Sequence, residues 1–394
     1  MITSYETLGG FSLTQFPKGF MSCSVNAGIK DDTLDFTIIF SETRASAAAM
    51  FTKNQFCGAP IVVGKDHVKD GYLQAIAVNS KNANVATGEQ GLKDAQTMTE
   101  AVAAELGISA SDVLPSSTGV IGVPLPVEKI TAAVPGLKAQ LSSHGLEQSA
   151  KAIMTTDTYP KFRSRKIGDV TISAMAKGSG MIEPNMATML SYILTDAAIE
   201  PADLQNMLKK AVDVSFNSVS VDGDTSTSDT VAILANGLAG QVDLNEFEAV
   251  LTDLCIELAK EIARDGEGAT KLVEVQVSGA ANDAAAKKIG KSIINSPLVK
   301  TAIFGEDPNW GRIMSTIGNA EDAVDTSAVS VSFADVYVFK NGAPTEDKRA
   351  ELEEYLKTNE VLIKISLGHG TGQATVWGCD LSYDYVKING EYTT

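Results

Sequence analysis

The chain has 394 residues, 44% of them hydrophobic and 21% charged, which is globular composition with enough apolar material for one large core or about two to three ordinary domains. A net charge of −17 speaks against a nucleic-acid footprint, which needs a basic face. No apolar run approaches membrane-spanning length, and the opening MITSYETLGGFSLTQ lacks the basic-then-apolar pattern of a signal peptide, so a cytoplasmic protein is expected, with neither membrane nor nucleic acid as partner.

In chain order, the first half alternates strand-like and helix-like stretches. Asp35–Phe40, Pro60–Gly64 and Ala75–Asn79 are apolar and β-branched and predict strands. Gln90–Leu106 has helical spacing, with Gly107 as its stop. Asp112–Ser117 predicts a strand running into TGVIG, and Pro126–Leu141 a helix that Pro135 must end or kink. Asp169–Ala176 and Met189–Thr195 predict strands on either side of a loop punctuated by Gly178, Gly180 and Pro184.

The second half continues in the same style. Ala202–Val214 is amphipathic, with Pro201 in the favoured first turn. Asp229–Asn236 predicts a strand and Leu251–Arg264 a helix ending before Gly266. Strands are expected at Leu272–Gly279, Thr301–Gly305, within Ser327–Phe339, and at Val361–Gly368 and Gln373–Ser382, with a helix at Asp347–Thr358. Gly279–Gly290 reads as a linker. The pattern predicts an α/β (α+β) protein, a layered αββα-type sandwich of mixed or antiparallel sheets over residues 1–280 with a smaller C-terminal α/β unit at 281–394.

Several motifs resist a functional reading on their own. The four cysteines have no CxxC spacing, so no zinc site or redox dithiol is expected. Of the three histidines, His67, in a charged loop, and His144 have solvated surroundings, and His369 is expected to be structural. Gly368–Gln373 (GHGTGQ) imitates a dinucleotide fingerprint, but a strand rather than a helix follows it, so a tight turn is expected. Asp222–Asp229 (DGDTSTSD) imitates a calcium loop but lacks the required glycine and glutamate positions. It predicts a hydrogen-bonded turn. Ser116–Gly122 (SSTGVIG) is a strand end whose glycines permit close backbone approach and an oxyanion-type site. Asp265–Lys271 (DGEGATK) follows a helix, and Glu267 there is either an amine partner or a solvated carboxylate.

Thr188 opens the Met189–Leu194 run. A β-branched residue suits a strand start, and that reading suffices locally. Chemistry offers a second one. A threonine hydroxyl needs a base, and a chain cut before Thr188 would supply one in its own α-amine, which titrates near about 7.7–8.0. The same hydroxyl can make the cut by attacking the carbonyl of the small Ala187.

These stretches lie in blocks that resemble the ornithine acetyltransferases, or glutamate N-acetyltransferases, of arginine biosynthesis. MAKGSGMIEPNMATML is similar to that family's self-cleavage segment, and ASAAAMFTKN, NSKNANVATG, STGVIG, AIMTTDTYPK, SVDGDTSTSDT, ARDGEGATK, GEDPNWGRI and KINGEYTT match in order along the whole chain. The resemblance implies self-cleavage between Ala187 and Thr188 into an α chain 1–187 and a β chain 188–394, assembled as α2β2. It implies that Thr188 takes acetyl from N2-acetylornithine and passes it to glutamate, with no cofactor and no metal. Thr118 and Gly119 would stabilise the oxyanion. Thr155, Lys177, Thr188, Glu267, Asn389 and Thr394 would line the substrate pocket. Acetyl-CoA is an open second donor. One departure stands out: Lys81 takes a place where most relatives are expected to have glycine, and a positive φ there would strain it. Two other readings stay open, an aminopeptidase or amidase in which water takes the acyl group, and a noncatalytic binding protein that never cleaves.

Overall fold

The computed structural model describes residues 16–183, 189–319, 324–368 and 370–391. Strands β1 (Phe20–Val25), β2 (Phe36–Phe51), β3 (Tyr72–Asn79), β4 (Val113–Ser117), β5 (Lys161–Ile167), β6 (Val170–Lys177), β7 (Leu190–Ala197) and β8 (Thr230–Gly240) form one eight-stranded mixed sheet. Their order is β4-β3-β2-β8-β7-β6-β5, with β1 beside β2.

The long β2 joins two halves of this sheet. Its first part pairs with β1 and β3, its second with β8, and the register breaks between Phe40 and Ala45. Because successive side chains point to opposite faces, the strands sort their residues into layers. Phe36, Ile38, Ala75 and Ala77 pack on Met98 and Val102 of the helix Gly88–Leu106. Ile39, Ile76 and Val78 point the other way and meet Met175, Tyr192, Leu194 and Ala232 from the second half. Ile193, Val231 and Ile233 then face Leu204 and Leu208 of the helix Pro201–Val214 and Leu254 and Leu258 of the helix Leu244–Arg264. The result is the expected sequence of helix, sheet, sheet and helix.

A second, six-stranded sheet contains β9 (Leu272–Ala280), β10 (Ser330–Phe333), β11 (Val336–Lys340), β12 (Ala343–Pro344), β13 (Glu360–Ser366) and β14 (Gly372–Cys379), in the order β12-β11-β10-β13-β9-β14. Its β9–β13 pair is parallel and the others are antiparallel. The helix Asp283–Asn295 packs Ile289 and Ile293 on Val275 and Val376.

Several sequence expectations change. Pro60–Gly64 lies in the helix Ala59–His67, so His67 ends a helix instead of sitting in a loop, with Nδ1 2.8 Å from the Val113 carbonyl oxygen. Thr301–Gly305 falls in and just after the helix Pro297–Phe304, whose Ser296 cap accepts from the Val299 N–H. Short apolar runs carry no period that separates strand from helix, whereas the proline in each first turn favours helix. The expected linker at Gly279–Gly290 is mostly the helix Asp283–Asn295, capped by the Asn282 side chain at the Ala285 N–H. The Pro126–Leu141 helix stops at Ala133, ahead of Pro135. Strand β9 belongs to the second sheet, so that sheet begins at Leu272, before the expected boundary at 280. Among the described residues no helix is long and apolar enough to cross a membrane.

Candidate active site

The two halves of the large sheet end near one another on one side of the molecule. There Ser117 closes β4, Lys177 closes β6, Leu190 opens β7 and Thr230 opens β8. The helix Leu244–Arg264 runs into Asp265–Glu267, and the C-terminal helix Tyr383–Glu391 brings in Asn389. Together they enclose a cavity of about 420 Å³ lined by Thr118, Gly119, Thr155, Lys177, Met189, Asp229, Glu267 and Asn389, among others. Six of the residues named from the sequence, Thr118, Gly119, Thr155, Lys177, Glu267 and Asn389, therefore meet in one place. Ala187, Thr188, Thr394 and His369 lie outside the described residues.

The Thr118–Gly119 turn follows from a local polar network. Ser117 Oγ donates to Asn79 Oδ1 at 2.5 Å, and Asn79 Nδ2 donates to the Asn82 carbonyl at 2.8 Å. The Thr118 N–H is committed to the Asn79 carbonyl at 3.1 Å, so the hydroxyl is the group Thr118 can offer a ligand. Among the described residues the Gly119 N–H has no backbone acceptor. Gly119 has φ +133°, and a Cβ there would lie 2.2 Å from the carbonyl carbon of Lys81. Lys81 itself has φ +80°, so the strain anticipated for a non-glycine residue at this turn is present.

Across the cavity, Lys177 Nζ donates to Thr155 Oγ1 at 3.3 Å. Burial lowers the Lys177 pKa, opposed by the charges of Asp157, Asp229 and Glu267. Behind it is a buried ion triad that no motif announced. Lys161 Nζ lies 2.7 Å from Asp157 Oδ1 and 2.5 Å from Asp265 Oδ2, with all three side chains at most 2% exposed. Asp157 also accepts from the Gly178 N–H at 2.7 Å and the Thr155 N–H at 3.1 Å. Burial pushes its pKa up, but Lys161 and Lys177 outweigh that and hold it below the usual carboxylate range. The triad thereby fixes the backbone on either side of the Lys177–Thr155 pair.

Glu267 is placed by its own backbone and by its carboxylate. Its N–H donates to the Ser179 carbonyl at 2.9 Å, and Asn389 Nδ2 donates to Oε2 at 2.8 Å. The carboxylate lies over Gly180, where a Cβ would come within 2.3 Å of it. Asp229, which the sequence reading did not single out, is 2% exposed. Its Oδ2 has no partner among the described residues. Burial pushes its pKa well above the carboxylate range, against the Ser226 hydroxyl and the Lys177 charge. In the sequence it closes the DGDTSTSD turn and opens a strand, and neither position marks it as a cavity residue.

A larger cavity of about 1410 Å³ lies along the helices Asp283–Asn295 and Trp310–Gly318 and contains none of the expected residues. Its Lys287 is paired with Asp213 and its Lys291 with Glu183.

The smaller cavity thus combines a backbone N–H at a constrained glycine, a half-buried cation, a placed carboxylate and polar groups that donate or accept. That set suits acyl transfer between small charged molecules. The sequence pattern of the ArgJ family matches residues 21–394. The arginine biosynthesis bifunctional protein ArgJ 2 of Clostridium acetobutylicum is 52% identical over 96% of this chain and 98% of its own. The protein ArgJ of Bacillus subtilis is 47% identical over 96% of each chain, and the glutamate N-acetyltransferase Oat2 of Streptomyces clavuligerus is 44% identical over 97% of this chain and 99% of its own. With such matches over nearly its full length, the chain belongs to the ArgJ family.

Proposed function

We propose that this chain cleaves itself between Ala187 and Thr188 and then moves acetyl from N2-acetylornithine to glutamate through an acetyl-Thr188 intermediate. The observation that carries this reading is the single cavity in which Thr118, Gly119, Thr155, Lys177, Glu267 and Asn389 converge beside Met189, the residue after Thr188. In the first stage Thr188 Oγ attacks the Ala187 carbonyl carbon. An ester C–O bond replaces the peptide C–N bond, and the hydroxyl proton passes to the nitrogen. Water hydrolyses the ester, leaving the Ala187 carboxylate and a free Thr188 hydroxyl and amine.

In the second stage the Thr188 amine accepts the hydroxyl proton as Oγ attacks the acetyl carbonyl of the donor. The Gly119 N–H and the Thr118 hydroxyl receive the developing oxyanion. The proton then goes to the leaving nitrogen, and ornithine departs. Glutamate's amine attacks the acetyl-ester in turn, and Thr188 Oγ leaves and is reprotonated. Lys177 holds the α-carboxylate common to donor and acceptor, and the bound carboxylate favours the charged form that burial opposes. Glu267 holds the donor's side-chain ammonium. Thr155, Asn389 and Thr394 accommodate the acceptor's side-chain carboxylate, since hydroxyls and amides can reverse their hydrogen-bonding roles. Two α and two β chains form the assembly, and acetyl-CoA is a second donor for the same nucleophile.

Intact-mass spectrometry under denaturing conditions tests the first stage: two species dividing at Ala187/Thr188 support it, and a single full-length chain refutes it. An acetyl-transfer assay with and without glutamate tests the second. Acetylornithine turnover that is independent of glutamate would instead identify an amidase.

A further inference from the structure

We propose that the Asp222–Asp229 loop is the device that sets up self-cleavage, with Asp222 and Thr225 as its positioning residues. The inference rests on the self-cleavage reading above. The bond to be cut lies between two described flanks, Glu183 and Met189, and this loop with Thr230, the first residue of β8, holds both.

Upstream, two successive backbone N–H groups converge on one carboxylate. Asp222 Oδ2 accepts from Met181 at 2.6 Å and Oδ1 from Ile182 at 2.8 Å. Met181 has φ +55°, a left-handed conformation disfavoured for a residue with a side chain. That conformation lets consecutive N–H groups point at one anion. The Ile182 carbonyl accepts from the Val221 N–H at 2.8 Å and the Ser220 hydroxyl at 3.0 Å. Thr225 Oγ1 donates to the Glu183 carbonyl at 2.9 Å. The Glu183 carboxylate is held in turn by Asn295 Nδ2 at 2.7 Å and Lys291 Nζ at 3.2 Å.

Downstream, the Thr230 N–H donates to the Met189 carbonyl at 3.0 Å, where β7 and β8 begin their parallel pairing at Leu190 and Thr230. The loop between these anchors is fastened from behind. Thr52 Oγ1 donates to the Ser226 carbonyl at 2.8 Å, Asn54 Nδ2 to the Thr225 carbonyl at 2.9 Å and the Gly58 N–H to the Thr227 carbonyl at 2.9 Å.

Self-cleavage needs a carbonyl presented to the hydroxyl of the very next residue, a geometry that a relaxed peptide seldom visits. Both described flanks of the bond, Met181–Glu183 and Met189, are fixed to the segment Asp222–Thr230. The charge-assisted bonds to Asp222 hold the strained Met181 against relaxation. Neither Asp222 nor Thr225 lines the acetyl-transfer cavity, but Asp222 holds Met181, which does, and accepts from Tyr385 on the helix that carries Asn389; Thr225 is therefore the cleaner probe of processing apart from turnover.

The test follows the first-order rate of chain cleavage in freshly made protein by intact mass. Asp222→Asn keeps the shape but loses the charge and one acceptor oxygen, and Thr225→Val loses the hydroxyl. Both should slow cleavage on the order of tenfold to a hundredfold, the penalty for losing charge-assisted bonds and orientation. Thr225→Ser, which keeps the hydroxyl, should cleave like the parent, and the cleaved fraction of the Thr225 variants should turn over acetylornithine normally. Melting temperatures compared in a Thr188→Ala background should show the slow variants folded. Parent-like cleavage by both Asp222→Asn and Thr225→Val, or a Thr225→Ser variant as slow as Thr225→Val, overturns the inference while the self-cleavage reading stands. A parent chain that stays whole overturns that reading and the inference together.

Discussion

Gly119→Ala is the sharpest probe of the oxyanion site. The added Cβ would sit 2.2 Å from the Lys81 carbonyl carbon, 2.3 Å from its oxygen and 2.7 Å from the Asn82 nitrogen. Carbon atoms pack at about 3.5–4.0 Å, so the two backbone segments must separate by more than about 1 Å. Little can yield: the Lys81 carbonyl already accepts from the Val120 N–H at 3.0 Å, and Asn82 is tied to the Val123 and Pro124 carbonyls at 3.1 Å each. The φ of +133° adds strain of about 1–3 kcal/mol for a residue with a Cβ. The Gly119 N–H is displaced from the oxyanion, and loss of one such donor costs on the order of 10²–10³ in kcat. The assay is single-turnover acetylation by acetylornithine, normalised to the chain fraction that has been cleaved. Gly122→Ala is the control: its φ is +81°, yet nothing lies within 4 Å of the new Cβ. It should lose about 1 kcal/mol of stability and little rate. A cleaved Gly119→Ala protein acetylated at close to the parental rate would refute the assignment of this N–H.

Other perturbations separate binding, stability and pH. Glu267→Gln should raise KM for acetylornithine on the order of tenfold, the cost of losing a charged partner, and spare glutamate; unchanged acetylornithine turnover would remove the amine-partner role. Lys161→Met leaves Asp157 and Asp265 buried without their cation and should destabilise the fold by about 3–5 kcal/mol in chemical denaturation; a loss under about 1 kcal/mol would mean the triad is solvated in practice. Asp229, whose folded-state pKa is raised, keeps its proton to higher pH than the unfolded chain does. Its contribution therefore lowers stability as pH rises above the unfolded value of about 3.9. Asp229→Asn should then melt higher than the parent at pH 8, with the difference closing toward pH 4, and a difference that grows on acidification would contradict the burial argument.

Much of the fold is legible in sequence because its elements carry period or composition. The helices Gly88–Leu106 and Leu244–Arg264 keep an apolar stripe over several turns, and the cores of β7, β8, β9, β13 and β14 are apolar and β-branched. Strand β5, Lys161–Ile167, is not legible that way: KFRSRKI shows charge at alternating positions, and only burial of Phe162 and Lys161 against other elements makes it a sheet edge. The helices Ala59–His67 and Pro297–Phe304 read as strands because eight or nine residues give too few turns for a period to show.

The candidate site divides along the same line. Chemistry local to a few residues is written in order along the chain: a threonine after a small residue, a glycine at a turn, a carboxylate after a helix end. Motif resemblance was enough to name Thr118, Gly119, Lys177 and Glu267, and the fold gathers them around one cavity. What only the tertiary structure decided is what depends on contacts between distant segments. Lys161 meets Asp265, 104 positions away, and Met181 meets Asp222, 41 positions away. Burial, which raises the pKa of Asp229 and sets the worth of the Lys161 triad, is a property of everything packed around a group. No window of sequence contains it, because desolvation sums over neighbours that only folding brings together.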